Sequence, residues 1–251
     1  MTDTENLLEF VHLHENIVEM SKVVDLPASC IVENIQSECF SVLTDEEKDL
    51  LEKNTINIEY KKGEVIAKQG TFASHVIFLK SGLVKVYIGG QSKDLILKMI
   101  PEDHFIGLSS IYDGNNTFIY SASTYVDTVA SLIDVNFFKS LLRKNGNFAY
   151  KIANIQNENA AQVYGRFYCL TRKQSGGLVA DLMLCLANRV FKSDKFCLPL
   201  SRSDLADLTG LSIESVLRIM KDFKNEGLIE TKGKNIKILN EEQLDKISRF
   251  G

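Results

Sequence analysis

Two runs near the C-terminus hold side chains whose types and spacing suit recognition of a polyanion. Residues 201–225 read Ser-Arg-Ser-Asp-Leu-Ala-Asp-Leu-Thr-Gly-Leu-Ser-Ile-Glu-Ser-Val-Leu-Arg-Ile-Met-Lys-Asp-Phe-Lys-Asn. The pattern predicts two helices, over residues 202–209 and 213–224. Gly210 supplies the left-handed residue that closes the first, and Ser212 caps the second. Ala206, Gly210 and Val216, four and six apart, form a helix-turn-helix signature. Small Ala206 lets the second helix cross closely over the first, and Leu211, Val216 and Ile219 supply its buried side. Arg202, Ser203, Ser212 and Lys221 are the expected phosphate contacts of such a pair. The following residues, 227–239, read as a β-hairpin whose basic tip carries Lys232 and Lys234. That is a wing suited to DNA phosphates.

Charge supports the same division of labour. Residues 171–239 carry 12 lysines and arginines against 8 acidic residues, a net of +4, whereas residues 1–170 carry a net of −7. Only the back of the chain suits nucleic acid. With 251 residues and 45% hydrophobic composition, the sequence has room for two domains with packed cores. It has no apolar run long enough to span a membrane. No secretory leader is recognisable, so a cytoplasmic protein is expected. Five cysteines spread from Cys30 to Cys197 do not form a disulfide framework.

The elements that must position the basic segment lie upstream. Thr44 and Glu47 predict a capping box at a helix start. Short apolar segments follow at 56–60, 65–68, 76–80, 83–88, 95–100, 117–125 and 128–133, broken at Gly63, Gly70, Gly82, Gly89-Gly90, Pro101 and Asp113-Gly114-Asn115-Asn116. Such spacing predicts an antiparallel sandwich or barrel. Past Asn136 the period becomes helical. After a short helix at 137–143, residues 145–171 predict a long one. Its stripe of Phe148, Ile152, Ile155, Asn159, Val163, Phe167 and Leu170 suits pairing with a second copy, with Asn159 as a polar seam residue. A further helix runs to about Phe191, and Ser175-Gly176-Gly177 reads as the hinge.

This order resembles the cyclic-AMP receptor/fumarate–nitrate regulator (Crp/Fnr) family of bacterial transcription factors over residues 40–240. The matching motifs are Lys62-Gly63-Glu64, Gln69-Gly70, the hairpin from Leu79 to Val86, Phe105-Ile106-Gly107, and the run from Leu208 to Arg218. The resemblance implies an α+β fold: an N-terminal antiparallel β-barrel of jelly-roll type, a long dimerisation helix, and a C-terminal winged helix-turn-helix. The expected boundaries are an extension over 1–42, the barrel over 43–144, the dimer helix over 145–173, and the DNA-binding domain over 174–251.

The resemblance also assigns roles. Family recognition helices read bases with a Glu and an Arg four apart, here Glu214 and Arg218, flanked by Ile213, Ser215 and Leu217. Arg suits guanine N7 and O6, and a carboxylate can accept from cytosine N4. The implied partners are double-stranded DNA at palindromic sites, a second copy of the chain, and RNA polymerase. The cyclic-nucleotide branch holds its ligand with a Gly-Glu pair and, further on, an Arg beside Ser or Thr. Here Gly107-Leu108 and Tyr120-Ser121 stand in those places, so cyclic AMP is not expected. The oxygen-sensing branch ligates a [4Fe–4S] cluster with four cysteines. Cys30 and Cys39 match two by spacing, with Glu33 and Ser131 in place of the others, so the cluster is not expected either.

A redox or gas sensor using Cys30 and Cys39, or haem held by His12, His14, His75 or His104, stands as the alternative. The effector is otherwise left open. Cys169, Cys185 and Cys197 read as core thiols. An enzyme is not expected, because no strand pairs two histidines and no nucleophile elbow or phosphate loop is present. A non-DNA-binding partner module is the remaining class.

Overall fold

A computed structural model describes residues 36–90 and 94–250. After a 3₁₀ turn, Ser37–Val42, comes α1 (Asp45–Lys53). Its capping box forms as the sequence predicts: the Glu47 N–H donates to Thr44 Oγ1 at 3.2 Å, and the Thr44 N–H donates to Glu47 Oε2 at 2.9 Å.

Eight strands then build two four-stranded antiparallel sheets. In chain order they are β1 (Thr55–Tyr60), β2 (Val65–Ala67), β3 (His75–Ser81), β4 (Leu83–Ile88), β5 (Leu95–Pro101), β6 (Phe105–Ile106), β7 (Ser121–Thr124) and β8 (Thr128–Asp134). One sheet has the order β1-β8-β3-β6 and the other β2-β7-β4-β5. The sheets face each other as a jelly roll rather than closing into a barrel. Their inward side chains, among them Ile77, Leu79, Val84, Val86, Ile100 and Ile106, are fully or nearly fully buried. The β3–β4 turn needs Gly82: its φ is +111°, and an added Cβ would lie 2.3 Å from Thr128 Oγ1.

Helix α2 (Val135–Lys144) leads into α3 (Gly146–Arg172), 27 residues long, whose cap Asn145 accepts from the Phe148 N–H at 2.9 Å. The upper turns of α3 pack into the core beside the jelly roll. Phe148, Ile152 and Ile155 pack with Phe40, Phe78, Phe105 and Phe138. The rings meet mostly edge-on, with centroids 4.9–6.3 Å apart.

The C-terminal unit holds α4 (Ser175–Cys185), a π turn (Leu186–Val190), β9 (Lys195–Cys197), α5 (Arg202–Thr209), α6 (Ile213–Asn225), β10 (Ile229–Lys232), β11 (Asn235–Ile238) and α7 (Glu241–Phe250). Strand β9 adds a third member to the wing sheet, in the order β10-β11-β9. The expected hinge is displaced. Gly176 and Gly177 lie inside the first turn of α4, and the chain breaks instead at Lys173 and Gln174, both extended. The long apolar segment expected at 117–125 also narrows: Thr117 makes only an isolated bridge to Phe72, and the strand covers Ser121–Thr124.

The two halves share a core. Leu83, Ile96, Met99 and Tyr125 of the sheet pack with Leu198, Leu200, Leu205 and Leu208 of the C-terminal unit. Among the described residues no helix is long and apolar enough to cross a membrane.

Candidate nucleic-acid interface

Local chemistry places α5 and α6. Ser201 caps α5 in a capping box with Asp204. Gly210 closes the helix at φ +69°, and Ser212 caps α6 by accepting from the Ser215 N–H at 3.1 Å. Val216, Ile219 and Phe223 form the buried side of α6 against Leu205, Ala206 and Leu208. At about 100° per residue, Glu214, Arg218 and Lys221 stack on the opposite, exposed face. That face can enter a major groove with a carboxylate and a guanidinium one turn apart.

The flanking residues differ among themselves. Ile213 is exposed, while Ser215 and Leu217 are half-buried. Ser212 and Ser215 are engaged with each other, Oγ to Oγ at 3.1 Å. The Ser212 hydroxyl hydrogen is therefore taken up within the cap. Arg202, Ser203 and Lys232 are exposed, and Ser203 Oγ reaches Asp207 at 3.5 Å. Lys234 lines a crevice of about 270 Å³ between wing and sheet, together with Lys62, Lys85 and Asp204. Two basic residues escaped sequence reading. Lys195 and Lys237 are exposed partners on neighbouring strands β9 and β11. The signal was hidden because β9 is only three residues long.

The long helix presents two stripes, one packed in the chain's own core and one exposed. Ile152 and Ile155 lie in the chain's own core, and Asn159 accepts from Gln36 Nε2 at 3.3 Å. The exposed seam runs Tyr150, Ala153, Asn157, Ala160, Tyr164, Phe167 and Thr171, alternating three and four apart. Tyr150, Tyr164 and Phe167 are 67%, 68% and 70% exposed, with Val163 beside them at 61%. Of the expected dimer residues, Val163 and Phe167 are thus on the surface, while Ile152, Ile155 and Asn159 serve the protomer. A period of 3.5 marks a coiled-coil seam, and Asn157 sits at one of its repeat positions.

In the jelly roll, Gly107, Leu108, Tyr120 and Ser121 are all buried, but Leu108 packs in the phenylalanine core and Tyr120 between the sheets. Gly107, at φ +96°, donates its N–H to the Tyr120 hydroxyl at 2.8 Å. Ser121 Oγ accepts from the Gln69 N–H at 3.0 Å. The Gly107 N–H is thus held by the protein's own side chain.

Cys39 does not fit a cluster. Its thiol is 2% exposed within the phenylalanine core, and burial pushes its pKa up to about 12. Among the described residues no other cysteine packs in that core. Cys30, Glu33, His12 and His14 lie outside the described residues. Ser131 donates to Asn57 Oδ1 at 2.8 Å. His75 Nδ1 bonds with Ser74 Oγ at 2.8 Å, and buried His104 Nδ1 with the Glu102 carbonyl at 2.6 Å. Among the described residues no three His, Cys, Asp or Glu side chains cluster to hold a metal. Cys169 and Cys185 are buried as expected, but Cys197 is exposed on β9.

Comparison with known proteins agrees with this geometry. Residues 57–145 match the cyclic nucleotide-binding domain profile, and residues 179–247 match the Crp-like helix-turn-helix domain. The chain is similar to the probable transcriptional regulator flp of Lacticaseibacillus casei, with 26% identity over 82% of this chain and 93% of that protein. It is also similar to the transcriptional activator protein FnrA of Stutzerimonas stutzeri, with 24% identity over 72% of this chain and 75% of the relative. The fold matches the solved structure of FixK2 from Bradyrhizobium japonicum with a TM-score of 0.71 and 20% identity, covering 77% of this chain and 96% of that one. Two profile matches on either side of the long helix, a jelly roll before it and a winged helix-turn-helix after it lead to one assignment: the chain belongs to the Crp/Fnr family of DNA-binding transcription regulators.

Proposed function

We propose that this regulator acts as a homodimer that reads a two-fold DNA palindrome, with Glu214 and Arg218 on base edges. Arg202, Lys221, Lys232 and Lys234 meet phosphates. The observation that carries the reading is the exposed seam from Tyr150 to Thr171. Burying such aromatic side chains against a second copy yields the usual hydrophobic gain of a coiled coil, and two-fold pairing of α3 gives two α6 helices for two half-sites. The jelly roll is the sensor, the unit from α4 onward is the DNA-binding domain, and the bound dimer meets RNA polymerase in the cytoplasm. The Tyr120–Gly107 bond argues that cyclic AMP is not the signal.

The test combines sedimentation with selection of bound duplexes from a random pool. A dimer that enriches inverted repeats supports the reading. A monomer at micromolar concentration, or enriched sites without two-fold symmetry, overturns it.

A further inference from the structure

The lower half of α3 carries a second face that dimerisation leaves free. Gln162, Gly165, Arg166 and Cys169 are all buried. They lie three and four apart, on the side of the helix opposite the seam of Ala160, Tyr164, Phe167 and Thr171. This buried face meets the DNA-binding unit. Cys169 packs with Leu178 and Leu211, and Leu211 lies in the turn between α5 and α6. The Arg166 Nη2 donates to the carbonyl oxygen of Leu208, one residue before the end of α5.

That carbonyl needs an outside donor. The last carbonyls of a helix have no intrahelical partner. In α5 those further back are served locally: the Leu205 oxygen accepts from the Thr209 hydroxyl at 2.8 Å, and the Ala206 oxygen accepts from the Gly210 and Leu211 N–H groups. Leu208 is fully buried, so water cannot serve its oxygen. A guanidinium there also complements the negative end of the helix dipole. Two residues after Leu208 the chain turns at Gly210 and enters α6.

We propose that Arg166 is a positioning residue for DNA recognition: reaching from the pairing helix to the end of α5, it fixes the pose of α6 relative to the two-fold axis. The proposal rests on the dimeric reading above. The guanidinium touches no DNA. It acts by preventing the helix pair from rocking on α3, so that two α6 helices stay one half-site spacing apart.

The experiment uses the full-length chain and duplexes built from the selected palindrome. One series changes the half-site spacing by single base pairs, and one duplex carries a lone half-site. Wild-type protein is expected to bind one spacing best. Arg166→Gln is expected to lose about tenfold in affinity at that spacing, to lose little on the lone half-site, and to show a flattened spacing profile. Its sedimentation as a dimer is expected to be unchanged. Equal loss on every duplex, or an unchanged profile, overturns the proposal. If Arg166→Gln does not fold, as judged by its thermal melt, Arg166→Lys is read instead. Its shorter reach and single ammonium are expected to flatten the profile partly, and an unchanged profile there overturns the proposal. A wild-type chain with no preferred spacing overturns the two-fold reading and the positioning role with it. A preferred spacing that survives the substitution overturns the positioning role alone.

Discussion

Lys85 and Asp204 form an ion pair across the junction of the sensor sheet and the helix-turn-helix, Nζ to Oδ1 at 3.2 Å, with both side chains largely covered. Burial raises the Asp204 pKa, but the hydroxyl and N–H of Ser201 and the Lys85 ammonium outweigh it, so the carboxyl sits below its ordinary value. A folded value below the unfolded one stabilises the protein above the ordinary aspartate pKa, about 3.9. That contribution is lost as pH falls through the lower folded value. Urea melts between about pH 3 and pH 6 are expected to show a steeper acid decline for wild type than for Asp204→Asn. Parallel declines would remove Asp204 from the account.

The two stripes of α3 make opposite predictions. Phe167→Glu places a charge in the exposed seam and is expected to yield a folded monomer. Ile152→Glu places it in the sensor core and is expected to cost the protomer about 3 kcal/mol or more. Sedimentation and denaturant melts of both variants separate the two effects.

Specificity and affinity are expected to part on α6 and the wing. Arg218→Ala is expected to cost ~1–3 kcal/mol and relax preference at one base pair, whereas Lys232→Gln weakens all sequences alike and lowers the salt slope by about one. Binding measured against a panel of single-base variants at several salt concentrations checks both.

Tyr120→Phe deletes the acceptor for the buried Gly107 N–H. The expected destabilisation is about 1–3 kcal/mol in a urea melt. Titration calorimetry of the wild-type protein with cyclic AMP is expected to show no saturable micromolar binding. A saturating isotherm would mean that Tyr120 yields its place to the nucleotide.

Thiol reactivity follows burial. With its pKa near 12, Cys39 carries almost no thiolate at neutral pH. Alkylation of native protein, located by mass spectrometry, is expected at exposed Cys197 and not at Cys39, Cys169 or Cys185. Rapid labelling of Cys39 would mean that the phenylalanine core opens readily.

Short-range rules made the helix-turn-helix readable. Ser201, Gly210 and Ser212 act through bonds within three or four residues, so the helix limits 202–209 emerged from the sequence unchanged. Most jelly-roll strands were readable for the same reason, since glycine turns bound them. Residues 105–106 and 195–197 were not, because two or three residues show no period and their pairing is long-range. The two stripes of α3 were harder to tell apart from sequence. Both obey the same spacing, and only the position of the jelly roll decides which of them is already covered. Gly176 and Gly177 misled because glycine favours breaks, yet here it opens a helix whose N–H groups need no intrahelical partner.

The phenylalanine cluster has a bearing on how the chain may be cut. Phe40 precedes the first sheet, Phe78 and Phe105 come from its strands, and Phe138 and Phe148 come from successive helices. A fragment ending at Lys144 would leave the places of Phe148, Ile152 and Ile155 open to water. The smallest piece of the sensor half able to fold by itself should therefore run on through Ile155. The seam between sensing and pairing is a shared stretch of helix, and any chimera that swaps sensor modules must join inside α3, below that residue.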